Sequence, residues 1–169
     1  MTVVSGSSGF GKHASLFLEY YDNLNDEFPK TEMYDVHHAP NSTKIKIQKF
    51  DCHFMQGGNI ILTTQIPKVN GQNQPIQNTN GASDAHHHSY IVNHDRMTRV
   101  KAAIQEFKRK AEETGRYTYV APGGALGFMF SKVGQRGVNC ADFVIKVLEK
   151  ANVAKLGSGL FNSPYRIAS

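Results

Sequence analysis

One stretch decides how the fold is interpreted: Gly137-Val-Asn-Cys-Ala-Asp-Phe-Val-Ile-Lys-Val-Leu-Glu-Lys-Ala151. Five small or apolar side chains recur in it at helical spacing, namely Cys140, Val144, Val147, Leu148 and Ala151. Asn139 stands just before them and is a favourable N-cap. The pattern predicts a helix that begins at or next to Cys140 and packs one apolar face into a core.

The predicted position of Cys140 has a chemical consequence. The first amides of a helix lack intrahelical partners, and together with the helix dipole they stabilise a thiolate placed beside them. The thiolate is the nucleophilic form of cysteine. Cys140 is therefore a candidate nucleophile. The alternative is a small buried residue packed beneath the helix, the commonest role of a free cysteine.

Composition limits the classes of protein to which the chain can belong. The 169 residues, with 40% apolar and 20% charged, suit one globular domain over residues 1–169 with a sizeable core. The net charge of +5 permits contact with an acidic or membrane surface and gives no strong nucleic-acid signal. No apolar run approaches the roughly 18 residues of a membrane span, and the N-terminus lacks the features of a signal peptide. We expect a cytoplasmic protein, or one exported without a cleaved signal peptide, such as a delivered effector.

Strand patterns dominate the first half of the chain. Apolar runs and period-two alternation predict four strands, over residues 13–21, 33–38, 44–54 and 59–66. Residues 1–12 are rich in Gly and Ser and predict a loop, because their Gly-Lys run lacks the spacing of a phosphate-binding loop. Residues 22–30 predict a long hairpin connection. Residues 67–84 are rich in Asn, Gln, Gly and Pro and predict a polar loop or insertion.

The second half combines short strands with two helices. Residues 86–92 predict a short strand, and Asn93 or Asp95 is expected to cap a helix over residues 96–114 that ends at Gly115. That helix has one apolar face, formed by Val100, Ala103, Ile104, Phe107 and Ala111. Residues 117–120 and the apolar residues 125–130 lead into the helix of Cys140. The order of elements predicts an α+β fold with an antiparallel sheet packed against that helix.

A cysteine nucleophile needs a base within hydrogen-bonding distance and a third group that orients the base. His13 opens the first predicted strand and would be held rigidly there, although a strand-end histidine also commonly makes a purely local hydrogen bond. His37 and His38 are adjacent at the end of the next strand. Strand alternation allows only one of them to face the same side as His13.

Other histidines predict no metal site. Asp84 and the run His86-His87-His88 lie in a polar segment, and no spacing among them fixes a coordination geometry. Cys52 and His53 point to opposite faces of a strand, so they cannot form a dyad with each other. We expect neither a metal nor a cofactor. A metal-assisted hydrolase at the histidine run is the last of the alternatives.

Three short blocks resemble the permuted papain-fold cysteine enzymes of the lecithin retinol acyltransferase-like family. They are His13-Ala-Ser-Leu-Phe-Leu-Glu-Tyr, Val36-His37-His38-Ala39-Pro40 and Asn139-Cys140-Ala141-Asp142-Phe143-Val144. The resemblance implies a circularly permuted papain-like fold. It also implies that Cys140 is the nucleophile, His13 the base and His37 the third member, with His38 as the alternative to His37.

The resemblance implies an acyl-transfer enzyme that forms a thioester. Bacterial relatives of the fold include amidases and peptidases, so we expect a cysteine protease or amidase that hydrolyses a peptide, isopeptide or other amide bond. One alternative is a phospholipid acyltransferase or lipase of the same fold. Another, from a different class, is a non-catalytic binding module in which the three blocks belong to the core.

Overall fold

A computed structural model of the chain describes residues 1–8, 11–23, 25–27, 29–38, 42–54, 60–62, 68–69, 72–73, 86–120 and 136–156. The described strands, in chain order, are β1 (Thr2–Ser8), β2 (Gly11–Tyr20), β3 (Lys30–His38), β4 (Ile45–Phe54), β5 (Ile60–Leu62), β6 (Lys68–Val69), β7 (Gln72–Asn73), β8 (His86–Ser89), β9 (Tyr117–Tyr119) and β10 (Arg136–Val138). The described α-helices are α1 (His94–Lys108) and α2 (Cys140–Lys150). The fold is therefore α+β, as the order of predicted elements indicated.

The main sheet is antiparallel. Its strands lie in the order β5-β4-β3-β2-β1-β8, so strands that follow one another in sequence from β1 to β5 are also neighbours in space. β8 returns to the outer edge of β1. Two smaller sheets accompany it: β9 pairs in parallel with β10, and β6 pairs antiparallel with β7.

The N-terminal segment corrects the predicted loop over residues 1–12. β1 pairs along its whole length with β2 and, over its first half, with β8. The N–H of Tyr90 donates to the carbonyl of Met1 at 2.7 Å, which extends the second pairing. Gly and Ser have low strand propensity, but propensity is a weak preference that pairing with two neighbouring strands overrides.

Two other predictions are only partly within the described residues, and a third lies outside them. The polar segment 67–84 contains the short strands β6 and β7, so it is not entirely a loop, and its other residues lie outside the described ranges. Of the strand predicted over residues 59–66, the structure describes Ile60–Leu62. The apolar residues 125–130 lie outside the described part of the chain.

The core lies between the sheet and the two helices. β2 contributes Ala14, Leu16 and Leu18, all fully buried. The face of α1 predicted from its spacing is buried as expected, and Phe107 of that face meets Phe143 of α2 edge-to-face with ring centroids 5.0 Å apart. Apolar burial of this kind supplies most of the stabilisation of a domain. It also fixes α2 against β2, which places the start of the helix beside the start of the strand.

Helix α1 begins two residues earlier than predicted and ends in a wider turn. Its N-cap is Asn93, whose side chain accepts from the N–H of Arg96. After Lys108 the chain forms a π-helical turn, Arg109–Glu113, and then reverses at Gly115 with φ +61°. The turn places Glu112 next to the sheet, where its Oε1 accepts a hydrogen bond from the N–H of Ile47 at 2.7 Å. Neither α1 nor α2, the helices of the described residues, is long and apolar enough to cross a membrane.

Candidate active site

Cys140 is the first residue of α2, as its sequence context predicts. Asn139 precedes it with extended backbone and accepts the N–H of Asp142 through its side chain at 3.0 Å. In return, the Asp142 carboxylate accepts the N–H of Asn139 at 3.0 Å. This reciprocal capping box fixes the angle at which the chain enters the helix. It thereby fixes the position of the Cys140 side chain.

The capping box also defines which amides surround the sulfur. Asn139 and Asp142 satisfy each other's N–H groups, so the amides of Cys140 and Ala141 are the remaining N–H donors of the first turn. Such amides point along the helix axis toward any negative charge that develops at the N-terminus. They are suitably placed to donate to an oxyanion formed at Cys140.

Cys140 is deeply buried, with 1% of its surface exposed. It is a free thiol and belongs to the cluster of buried side chains between sheet and helices. Its neighbour His13 is more open to solvent, with 34% of the side chain exposed.

The His13 imidazole joins Cys140 to a carboxylate. His13 lies near the start of β2, and its Nε2 is 3.1 Å from Oδ1 of Asp35 on β3. The Cys140 side chain lies close enough to the ring to raise the pKa of His13. The structure thus brings together Cys140 and His13, two residues that the sequence analysis assigned as nucleophile and base.

The charge on His13 follows from these partners. Burial by itself lowers the pKa of His13, but hydrogen bonds and charge interactions with Asp35 and Cys140 outweigh burial and raise that pKa from 6.5 to about 10. The imidazolium is consequently the stable form at neutral pH. A protonated imidazole beside a sulfur is the arrangement that stabilises a thiolate.

Asp35 is a site residue that the sequence analysis missed. It is a buried carboxylate, and the Ser15 hydroxyl donates to the same Oδ1 atom at 2.5 Å. The pairing of β2 with β3 runs without a break from Tyr20 to Leu16. Ser15 and His13 lie beyond this paired stretch, and both of their side chains contact Asp35. Strand alternation offered a signal, because Asp35 stands two residues before His37 and so shares its face.

His37 lies beside the second oxygen of the Asp35 carboxylate. Its ring centroid is 6.4 Å from that of His13, and its Nε2 is 3.7 Å from Oδ2 of Asp35, beyond a normal hydrogen bond. Burial lowers the pKa of His37, which favours its neutral form. The residue that contacts His13 directly is therefore Asp35, while His37, the predicted third member, contacts the opposite side of that carboxylate.

His38 takes a different direction, as alternation along β3 requires. Its ring stacks on Tyr119 of β9, with centroids 4.2 Å apart. Burial and, to a lesser extent, Cys140 raise the pKa of the Tyr119 hydroxyl. Tyr119 is therefore a neighbour of His38 in the candidate site. No sequence pattern indicated Tyr119, since its proximity arises from the pairing of β9 with β10.

The other candidate chemistry receives no support from the described residues. Among them, no group of three or more His, Cys, Asp or Glu residues is arranged to hold a metal ion. His88 is exposed at the sheet edge, where its ring is 4.6 Å from that of Tyr90. The side chains of His86, His87, Cys52 and His53 lie outside what the structure describes.

No protein-family model matches the chain, and neither the curated proteins nor the solved structures contain a match to it. The class of the site therefore depends on its own geometry. That geometry combines a cysteine at a helix N-terminus with a nearby histidine that contacts a buried carboxylate.

Proposed function

We propose that this chain is a cysteine acyl-transfer enzyme with a permuted papain-like arrangement, most simply a protease or amidase that hydrolyses an amide bond. In this proposal Cys140 is the nucleophile, His13 the acid and base, and Asp35 the group that orients His13. The observation that carries it is the position of His13 between a helix-terminal thiol and a buried carboxylate. The chain order of histidine before cysteine, with the sheet between them, is the reverse of papain's and agrees with a permuted connection.

The proposed reaction begins with the thiolate of Cys140 and the imidazolium of His13. The sulfur attacks the carbonyl carbon of an amide, and the carbonyl electrons move to the oxygen, where the amides of Cys140 and Ala141 stabilise the charge. When the intermediate collapses, the C–N bond breaks and the leaving nitrogen takes the proton of His13. A thioester and a free amine result.

Hydrolysis of the thioester returns the enzyme to its starting state. Neutral His13 accepts a proton from water, and the water oxygen attacks the thioester carbon. The C–S bond then breaks, which releases a carboxylic acid and restores the thiolate and the imidazolium. Asp35 holds the ring orientation through both half-reactions and stabilises its positive charge, the role that a triad carboxylate has in general.

A second candidate function is a non-catalytic binding module, and the burial of Cys140 favours it. At 1% exposure the sulfur resembles the inert cysteines that pack in protein cores. In that case the contact with His13 would serve folding alone. The two candidates differ in whether the native protein exposes a reactive sulfur to a substrate.

Covalent labelling with a peptidyl acyloxymethyl ketone separates the two candidates. We expect the probe to label Cys140 in the native wild type and in Cys52→Ala. It should not label Cys140→Ala, and it should label the heat-unfolded wild type much more slowly than the native protein. His13→Ala should lower the labelling rate by about 100-fold or more, the usual contribution of a positioned acid–base group. Circular dichroism of each variant verifies that the fold is intact.

The outcomes decide between the functions. Mass spectrometry that places the adduct on Cys140, with the loss in His13→Ala, supports the enzyme. Equal labelling of wild type and His13→Ala, or labelling of the wild type only after unfolding, would contradict it and favour the binding module.

A further inference from the structure

A cavity of about 580 Å³ opens next to the candidate active site. It lies between the end of β3, the start of β4 and the π-helical turn that follows α1. Its size falls within the range of about 300–1,000 Å³ typical of ligand sites. Its lining includes the titratable side chains of His37, His38, Lys44, Lys46 and Glu112.

His37 connects the cavity to the candidate active site. It lines the cavity, and its Nε2 is 3.7 Å from Oδ2 of Asp35, the carboxylate that contacts His13. His38 also lines the cavity, and its ring stacks on Tyr119. A molecule that occupied the cavity would therefore be separated from His13 by His37 and Asp35.

The charged groups of the lining are mostly basic. Lys44 and Lys46 are both exposed and present ammonium groups, and the two histidines add hydrogen-bond donors. The acidic group is Glu112, and one of its oxygens already accepts the Ile47 N–H. The balance of charge in the cavity therefore favours an anionic ligand.

We propose that this cavity binds an acidic side chain of a peptide substrate, so that the enzyme prefers amide bonds flanked by Asp or Glu. The inference depends on the proposed function, whose substrate it specifies. Lys44 and Lys46 are assigned here as specificity-determining residues that pair with the substrate carboxylate. They contact neither the sulfur nor the scissile bond.

A peptide fits the lining better than a lipid does. An acyl chain requires a continuous apolar channel, whereas Ile45 and Ala111 are the aliphatic members of the described lining. Hydroxyl, amide and charged side chains alternate with them and can donate to or accept from a peptide. These polar members are Thr43, Lys44, Lys46, Gln48, Glu112 and Thr118.

The test uses acetylated tetrapeptide coumarin amides in pools. Each pool fixes one position as Glu, Gln or Lys and varies the others, so the register of binding need not be assumed. We expect at least one position at which Glu gives a kcat/KM about tenfold above Gln, the effect of two partly exposed ion pairs. Lys at that position should be the poorest.

Variants assign the preference to the cavity. Lys44→Gln/Lys46→Gln should remove the advantage of Glu over Gln, and Lys44→Glu/Lys46→Glu should reverse it in favour of Lys. The matched control is Lys155→Gln, which neutralises an exposed lysine outside the cavity and should leave the preference unchanged. The turnover of Glu and Gln peptides should both stay the same in Lys155→Gln.

A binding measurement separates this inference from the proposed function. The Cys140→Ala protein should bind a fluorescent Glu peptide more tightly than its Gln counterpart, and Lys44→Gln/Lys46→Gln should abolish that difference. The charge-dependent binding would survive even if no peptide were cleaved. Equal binding of Glu and Gln peptides would overturn the inference, as would a preference unaltered in the double variant. Tighter binding to anionic phospholipid vesicles than to any peptide would also overturn it.

Discussion

The pKa of His13 is raised well above the ordinary value for a histidine. Its side chain is held between an acceptor on β3 and the sulfur of α2, and its pKa is raised to about 10 although burial by itself lowers that pKa. A histidine at a strand end without such partners would titrate near 6.5. The state of this one ring therefore reports whether the proposed ion pair exists.

Asp35→Asn should lower the pKa of His13 toward 6.5, because the amide keeps the shape of the carboxylate and loses its charge. Heteronuclear NMR of the imidazole between pH 5 and pH 10 measures this pKa directly. Ser15→Ala is the matched control: it removes the hydroxyl that donates to Asp35 and keeps the carboxylate, so the pKa should remain raised. An Asp35→Asn protein whose His13 titrates as in the wild type would contradict the assigned role of Asp35.

Sequence reasoning at the residue scale selected Cys140 and His13, the proposed nucleophile and base, but not Asp35, the carboxylate that contacts His13. Cys140 was indicated by the N-cap before it, and His13 by its place at the start of an apolar strand. Asp35 was passed over in favour of His37, although both share one face of β3. Which of the two contacts His13 depends on the path of β2 beyond Leu16, where its pairing with β3 ends. That path is a tertiary feature, and strand alternation cannot predict it.

At the scale of the element, the start of α2 combines a structural and a proposed chemical role. The capping box satisfies two backbone donors and leaves the amides of Cys140 and Ala141 as the remaining donors of the first turn. β10 leads into this start in parallel with β9, and Gly137 is required there because a Cβ would lie 2.6 Å from Cγ2 of Val120. The close contact at Gly137 and the capping box at the start of α2 together fix the path of the chain into Cys140.

Asn139→Ala should destabilise the protein by about 1 kcal/mol, the usual effect of losing an N-cap side chain. It should also slow the labelling of Cys140, because the helix start loses its fixed geometry. Asn93→Ala is the matched control, since Asn93 caps α1 in the same way and lies at another helix. Urea denaturation and labelling kinetics together check both effects. Equal labelling rates in the two variants would contradict a functional role for the α2 cap.

Elements with a strong local pattern were predicted well, and those that depend on distant pairing were not. The apolar faces of α1 and α2 and the alternation of β4 agree with the structure. β1 was missed because its Gly and Ser residues carry no strand pattern, and its pairing with β8 joins segments far apart in sequence. The π-helical turn after α1 was missed because its wider geometry follows from Glu112 binding the edge of β4.

At the scale of the whole molecule, the packing of one sheet on two helices brings together β2 and α2, which lie far apart in the sequence. Leu16 and Leu18 of β2 and Phe143 and Val144 of α2 belong to the same buried cluster, so folding itself assembles the candidate site. The charged pair of His13 and Asp35 at its margin then couples stability to pH.

Stability should fall in alkaline solution through this pair. The folded pKa of His13 is raised to about 10 from 6.5, so the stabilisation is fully present below pH 6.5 and is lost as the pH rises through 10. The gap in urea midpoint between wild type and Asp35→Asn should therefore be wider at pH 6 than at pH 9. The control is Asp51→Asn, which alters an exposed carboxylate beside Lys49. The difference in urea midpoint between wild type and Asp51→Asn should be the same at pH 6 and at pH 9. A gap for Asp35→Asn that stays constant with pH would contradict the linkage.

The central claim is that native Cys140 is a reactive sulfur activated by His13, and its alkylation rate tests this most directly. The measurement is the rate of iodoacetamide modification at Cys140 at pH 6, followed by peptide mass spectrometry in wild type and in His13→Ala. We expect rapid modification of the folded wild type and a rate lower by about tenfold or more in His13→Ala, because free thiols are largely unreactive at that pH. Modification that occurs only when the protein unfolds, at the same rate in both proteins, would contradict it.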